Sequence, residues 1–327
     1  DRSTVGSCTI VLMTYNRSGT PASVLTRVAR LYYEHGLTHA EIAEVLGVSR
    51  VKVTRMLTEA RRQGIVEIKV HGDTGTFAEL ESSLVNRLGL RDAWVIPSLS
   101  NADRLRTSLG IGGAHSLRAL LAPKMVVGVN QSRTVAAILP ALRNEKPVDA
   151  DFVPVAGSSG GTGGAKAHYT SEAMARAFGC SAHHLPAPVL ASSSQTAAVL
   201  RAEAEIAETL ALAARADLLV AGVGTVEDNY LAHVGELSSH DIESLRKEGV
   251  VGDMSSRFFD ADGEPVTLPV DDRVIALTLE EHRAIPMRVA IAGGPSKREA
   301  LRAAARGELY NVLVTDSDTA AWLADHT

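Results

Sequence analysis

The spacing of apolar residues changes period along the chain, and each change predicts an element. Residues 38–65, THAEIAEVLGVSRVKVTRMLTEARRQGI, begin with helical spacing: Ile42, Ala43 and Leu46 share a face, and Gly47 is suited to a left-handed turn that ends the helix. Ser49 then caps a second helix, with Val53, Met56, Leu57 and Ala60 as its buried stripe. Thr38, three residues before Glu41, forms a capping box at the start of the first. The preceding Val24 to Tyr33 segment places Leu25, Val28, Ala29, Leu31 and Tyr32 on an apolar face for such a pair to pack upon. After Gly64, IVEIKV alternates as a short strand.

Two helices joined by a tight turn, on a third helix and followed by a strand, form the pattern of a winged helix-turn-helix that reads DNA. Arg50, Lys52, Thr54, Arg55, Arg61 and Arg62 project outward from the second helix. Together with Thr38 and Ser49 at the helix starts, they are the candidate contacts to bases and phosphates. The competing reading is a plain helical hairpin with a solvated arginine face.

From residue 73 the pattern alternates between short apolar runs and helical stretches. AWVIP, MVVGV, DFVPVAG, DLLVAGVG, RVIALTL, MRVAIAGG and YNVLVTD read as buried strands. Helices are predicted around residues 80–88 (Leu80, Leu84, Val85, Leu88), 104–121 and 134–142. Such alternation predicts an α/β domain with a mostly parallel sheet, whose ligand crevice opens at the strands' carboxyl ends. The organisation expected is a disordered segment over 1–20, a DNA-binding unit over 21–72 and a larger domain over 73–327, with the boundary near Gly72 to Thr76.

Charge supports the division. Through Gly72 the chain has ten Lys and Arg against six Asp and Glu; the rest has 23 against 32, and the whole is at −5. The basic part is where DNA would lie, and the acidic body argues against nonspecific coating of nucleic acid. Two cysteines, Cys8 and Cys180, suggest neither a metal knuckle nor a disulfide framework, so a reducing cytoplasm is expected. No apolar run has the length of a membrane span. The chain begins at Asp1 rather than methionine, so its numbering is consistent with a start inside a longer product.

The segments LTHAEIAEVLGVSRVKVTRML, GVNQSRTVAAIL, VVGDMSSRFFDADG, VAIAGGPSK and NVLVTDSDTAAWL occur in that order. In this arrangement the chain from Val24 onward resembles the SorC family of bacterial sugar-responsive transcription regulators. The resemblance implies a DeoR-like helix-turn-helix and a phosphosugar-binding domain similar in fold to ribose-phosphate isomerases and glucosamine-phosphate deaminases. It also implies a sugar phosphate or related polyol effector, and a homo-oligomer, a tetramer, holding operator double-stranded DNA. No cofactor is expected.

Candidate effector residues follow from both sources. In GVNQSRT a buried strand runs into a helix at Asn130, Gln131, Ser132, Arg133 and Thr134, so amides, hydroxyls and a guanidinium converge on any bound anion. Plain capping by Ser132 is the alternative. Lys297, in the first turn after Gly293 and Gly294, is unfavourable at a helix's positive end unless it meets an anion, and the family resemblance places a ligand-binding lysine there. The GSSGGTGGAK loop offers Gly157, Lys166 and His168; a mobile loop is its other reading. The family's sugar-phosphate binders often carry Arg or Lys where this chain has Ala156, and Lys166 is a candidate to restore that charge. Asp253 matches the family's acceptor for sugar hydroxyls, and Thr225, His233 and Glu236 are further lining candidates. If the phosphate reading holds, Arg133, Lys166 and Lys297 should cluster.

No metal site is expected: His183 and His184 have no third ligand at suitable spacing, and Asp260 and Asp262 read as a hairpin turn between FF and PV strands. A sugar-phosphate isomerase or deaminase is the alternative function, with Asp253, Glu236 and His233 as its acid and base candidates. A constitutive architectural DNA-binding protein is a third reading, which leaves the larger domain unexplained. The sequence leaves open whether an effector releases DNA or promotes activation.

Overall fold

The computed structural model describes residues 21–66, 77–143, 145–159, 167–233 and 236–326. These fall in two compact units, divided between Asp73 and Thr74.

The first unit has three helices: α1 (Ala22–Tyr33), α2 (His39–Leu46) and α3 (Arg50–Arg62). Its core is the stripe set by the sequence period, with Leu25, Val28, Ile42, Val53 and Ala60 fully buried. The Thr38–Glu41 capping box forms, and Gly47 takes φ 62° at the turn. Ser49 accepts from the Lys52 N–H at 3.2 Å and starts α3. One expectation differs: Tyr32 is 37% exposed, with its ring 5.1 Å from that of His39 rather than in the core. Only the first two residues of the expected IVEIKV strand, Ile65 and Val66, lie within the described residues.

The second unit runs α4 (Ala78–Leu88), β1 (Asp92–Ile96), α5 (Ala102–Leu120), β2 (Val126–Val129), α6 (Arg133–Ala136), β3 (Asp151–Pro154), α7 (Ala167–Phe178), β4 (Ser181–Ala182), α8 (Ser194–Ala202) and α9 (Ala204–Ala213). It continues with β5 (Leu218–Ala221), α10 (Tyr230–His233), α11 (Ser239–Lys247), β6 (Gly252–Met254), β7 (Arg257–Phe259), α12 (Leu279–Ala284), β8 (Met287–Ile291), α13 (Arg298–Arg306), β9 (Val312–Asp316) and α14 (Ser317–Asp325). Among the described residues, seven strands form a sheet in the order β1, β9, β8, β5, β2, β3, β4, and every pairing in it is parallel.

Alternation along the strands sends side chains into two helical layers. Leu218 and Val220 pack with Leu109, Leu117, Val135 and Met174, while Leu219 and Ala221 pack with Leu84, Ala213, Leu301 and Leu323. The strand order reverses direction between β2 and β5. At such a switch point the loops leaving the two strands run to opposite sides and open a crevice at the carboxyl ends.

Three expectations are corrected. The 134–142 helix is one turn of α6 followed by a separate 3-10 turn at Leu139–Ala141, because Pro140 lacks an N–H and disfavours helical geometry at Leu139. RVIALTL is buried and extended but lies outside the sheet. Its contacts are isolated bridges from Val274 to Leu190 and from Ala276 to Ala156. The Arg257 guanidinium donates to the carbonyls of Asp271, Val274, Ala276 and Leu277 at 3.0–3.2 Å, supplying hydrogen bonds that a neighbouring strand would otherwise make. The third concerns the FF and PV segments. The turn at Asp260 forms, with the Asp260 N–H donating to the Glu264 carbonyl, but its second arm is a single Phe259–Pro265 bridge. The regular hairpin is β6–β7, turning through Ser255 and Ser256.

Candidate functional site

In the first unit, α3 presents Arg50, Thr54, Arg55 and Arg61 on its exposed side, with Lys52 half-buried. Thr38 and Ser49 sit at the helix starts with their hydroxyls engaged in capping. The Thr54 hydroxyl donates to the Arg50 carbonyl at 3.1 Å. Arg62 is held by Glu59, which receives its Nε at 2.7 Å, so that guanidinium is partly neutralised beside the exposed Arg55 and Arg61. Sequence reasoning passed over Val51, which is 63% exposed next to Arg50. An apolar side chain at the start of a recognition helix suits contact with a thymine methyl.

In the second unit, a cleft opens where β2, β5 and β8 end. Its lining includes Asn130, Arg133, Gly224, Asp228, Asp253 and Lys297. Asn130 follows β2 and is buried. Its amide donates to the Ser255 hydroxyl at 2.9 Å, and its N–H donates to the Val220 carbonyl at 2.9 Å, tying β2 to β5. Ser132 caps α6 by accepting from the Val135 N–H, and Gln131 and Thr134 complete that wall. With only one turn, α6 contributes little dipole, so the charge of this wall is that of Arg133. Lys297 closes the preceding 3-10 turn, Pro295–Lys297, at the N-cap of α13, and its side chain is 13% exposed.

Arg133 and Lys297 converge on one carboxylate. Arg133 pairs with Oδ1 of Asp228, and Lys297 reaches Oδ2 at 3.0 Å. Burial alone would raise the Asp228 carboxyl, but Lys297 and Arg133 outweigh it and hold the group below the usual aspartate range. Asp253, 7% exposed, accepts from the Asn229 amide at 2.8 Å. Burial pushes its carboxyl up to about 6, against the opposing influence of Lys297, Asn229 and the Ser256 N–H. The cleft therefore holds one firmly ionised carboxylate between two cations and a second that titrates close to neutrality.

Of the other candidates, Thr225 is buried and accepts from the Asp228 N–H at 3.2 Å, shaping the loop rather than lining the cleft. Glu236 and Gly157 also lie outside the lining. A Cβ on Gly157 would stand 2.4 Å from the Pro188 carbonyl oxygen, so a tight chain crossing accounts for that glycine. Lys166 lies outside the described residues, as do the side chains of His168 and His233. The sequence reading overlooked Asp228, Asn229, Arg106 and Ser256. A glycine-rich loop leaving a central strand at its carboxyl end, followed by Asp-Asn, was the available signal for the first two. Among the described residues, no group of three or more His, Cys, Asp or Glu is placed to hold a metal ion.

Residues 73–324 match the family described as "Putative sugar-binding domain", and residues 22–75 match one described as a Crp-like helix-turn-helix domain. Transcriptional regulator LsrR of Escherichia coli (strain K12) is 34% identical over 301 residues, covering 91% of this chain and 93% of its own. The full-length sorbitol operon regulator SorC from Klebsiella pneumoniae has a crystal structure that superposes with a TM-score of 0.70 at 25% identity, over 93% of this chain and 99% of that one. The chain belongs to the SorC family of transcriptional regulators. A DeoR family transcriptional regulator from Listeria monocytogenes also superposes, with a TM-score of 0.70 at 27% identity, over 76% of this chain and all of that one. SorC-family membership accounts for both units, a reader of DNA and a sugar-binding domain, and sets aside the isomerase or deaminase alternative. Within the family resemblance, Asp253 and Lys297 stand in the cleft formed by the strands' carboxyl ends.

Proposed function

We propose that this chain is a sequence-specific, cytoplasmic transcription regulator whose operator binding is controlled by an anionic sugar derivative, a sugar phosphate, held at the β2/β5 switch point. The observation that carries this reading is the convergence of Arg133 and Lys297 on a single point at the carboxyl end of the parallel sheet. Two cations from segments far apart in the chain, focused within a net acidic domain, match a compact anion. Asp253 supplies an acceptor for sugar hydroxyls beside it, and Asn130 a fixed amide. The effector acts by differential affinity for one arrangement of a tetramer, changing the spacing of the DNA-reading helices.

Calorimetric titration of the full chain with matched free and phosphorylated pentoses, hexoses and polyols tests the reading. Tighter binding of the phosphorylated member of a pair, lost in Lys297→Gln, is the expected result. Binding of a free polyol with no gain from phosphate would reassign Arg133 and Lys297 to holding the Asp228 loop.

A further inference from the structure

The two cations assigned above to an effector anion are already engaged by a carboxylate of the protein itself. Each oxygen of Asp228 takes a different partner, Oδ1 with Arg133 and Oδ2 with Lys297, which is the arrangement of a bridging anion. We propose that Asp228 is a built-in competitor that a phosphate must displace from Arg133 and Lys297, and that it sets the cleft's preference for dianionic phosphomonoesters over monoanionic or neutral sugars. The inference rests on the anion reading of the cleft and deepens it.

Charge gives the direction of the preference. Asp228 brings one negative charge to two cations, so a singly charged acid gains nothing by replacing it, and an uncharged polyol leaves both cations unmatched. A phosphomonoester dianion brings two charges and three acceptor oxygens to the same cations, and each can be neutralised. Retaining Asp228 beside such a dianion would instead set like charges together in a half-buried cleft.

The surroundings allow the carboxylate to leave without unfolding the loop. Its side chain is 43% exposed, so rotation about Cα–Cβ carries it into water. The backbone stays fixed. The Asp228 N–H donates to both the carbonyl and the hydroxyl of Thr225 at 3.2 Å. Next to it, the Asn229 side chain accepts from the N–H groups of Leu231 and Ala232 and donates to Asp253. Displacement is thus a side-chain event on a rigid turn, which makes Asp228 a competitor and not a hinge.

The test is calorimetric titration of inorganic phosphate and ribose 5-phosphate, at low ionic strength and neutral pH, into the full chain and its Asp228→Asn and Lys297→Gln variants. Asp228→Asn keeps the shape of the side chain and removes its charge; Asp228→Ser is the second variant should the first fail to fold. The expected result is at least tenfold tighter binding of both probes in Asp228→Asn, abolished when Lys297→Gln is added. Wild-type binding that depends on Lys297 but does not tighten in either Asp228 variant overturns the competitor and leaves the anion reading standing. The absence of Lys297-dependent binding in every protein overturns both.

Discussion

Gly224 and Asp253 face each other as an isolated antiparallel pair: the Gly224 N–H donates to the Asp253 carbonyl at 2.9 Å, and the Asp253 N–H returns a bond to the Gly224 carbonyl at 3.2 Å. A Cβ on Gly224 would stand 1.9 Å from Oδ1 of Asp253, so the position of that carboxylate depends on a missing side chain. Gly224→Ala is therefore expected to cost about 1–3 kcal/mol and to weaken effector binding, because the carboxylate or the β5 loop must move. Urea unfolding and effector titration on one preparation would show both losses together; a fully stable variant with normal affinity would contradict the contact.

Asp253 carries a pH dependence whose sign is fixed by its direction of shift. Its folded pKa is raised to about 6 from 3.8, so the folded protein binds the proton more tightly than the unfolded chain. The stabilising contribution is complete below about pH 3.8 and is lost as pH rises through about 6, with a span on the order of 3 kcal/mol. Asp253→Asn should remove this slope from a plot of unfolding free energy between pH 4 and 7. A slope unchanged by the substitution would place the titration elsewhere.

The β6–β7 turn places Ser255 and Ser256 at φ 53° and 64°, a left-handed pair that glycine or asparagine adopts more readily. Ser255 receives the Asn130 amide, so relief is best sought at its neighbour. Ser256→Gly should raise stability by about 1 kcal/mol. A midpoint in urea no higher than wild type would show that the turn carries no such cost.

Arg257 stands in for a strand by donating to four carbonyls, and it lies 3.8 Å from Asp271 with both side chains largely buried. Arg257→Ala should cost about 3–5 kcal/mol. Arg257→Lys should recover less than half of that, since an ammonium lacks the planar fork. Complete rescue by lysine in thermal or urea unfolding would argue for charge alone.

On the DNA-reading unit, Arg50→Ala or Arg55→Ala should weaken operator binding about 5- to 100-fold while leaving effector affinity intact, with a shallower salt dependence for whichever residue meets a phosphate. Arg133→Ala or Lys297→Ala should reverse the pattern. Fluorescence anisotropy on operator DNA beside effector titration separates the two classes, and equal losses in all four would indicate misfolding.

Local signals carried much of this molecule into view. Thr38, Glu41, Gly47 and Ser49 declare the helix-turn-helix because caps and turns are decided within four residues. The central strands β5 and β9 are visible because they are buried throughout, and β1, β2, β3 and β8 because each carries a short apolar run bounded by polar or turn residues. RVIALTL has the same composition but lies outside the sheet, where its carbonyls are met by Arg257, a partner 17 to 20 residues away that no local pattern announces. Asp228 was hidden for the same reason: its meaning comes from Arg133, 95 residues distant in sequence, and from Lys297. Gly157 shows the converse, since a glycine in a promising loop proved to be required by a chain crossing at Pro188.

The walls of the cleft come from chain segments that are strangers in sequence: Asn130 meets Gly222 across 92 residues and Ser255 across 125. A small molecule touching all of them can bind only when those distant segments are assembled, so it stabilises the folded second unit by mass action. Its occupancy would then be written into the melting temperature of the second unit, so the metabolite that governs transcription would also govern how long the regulator survives in the cell.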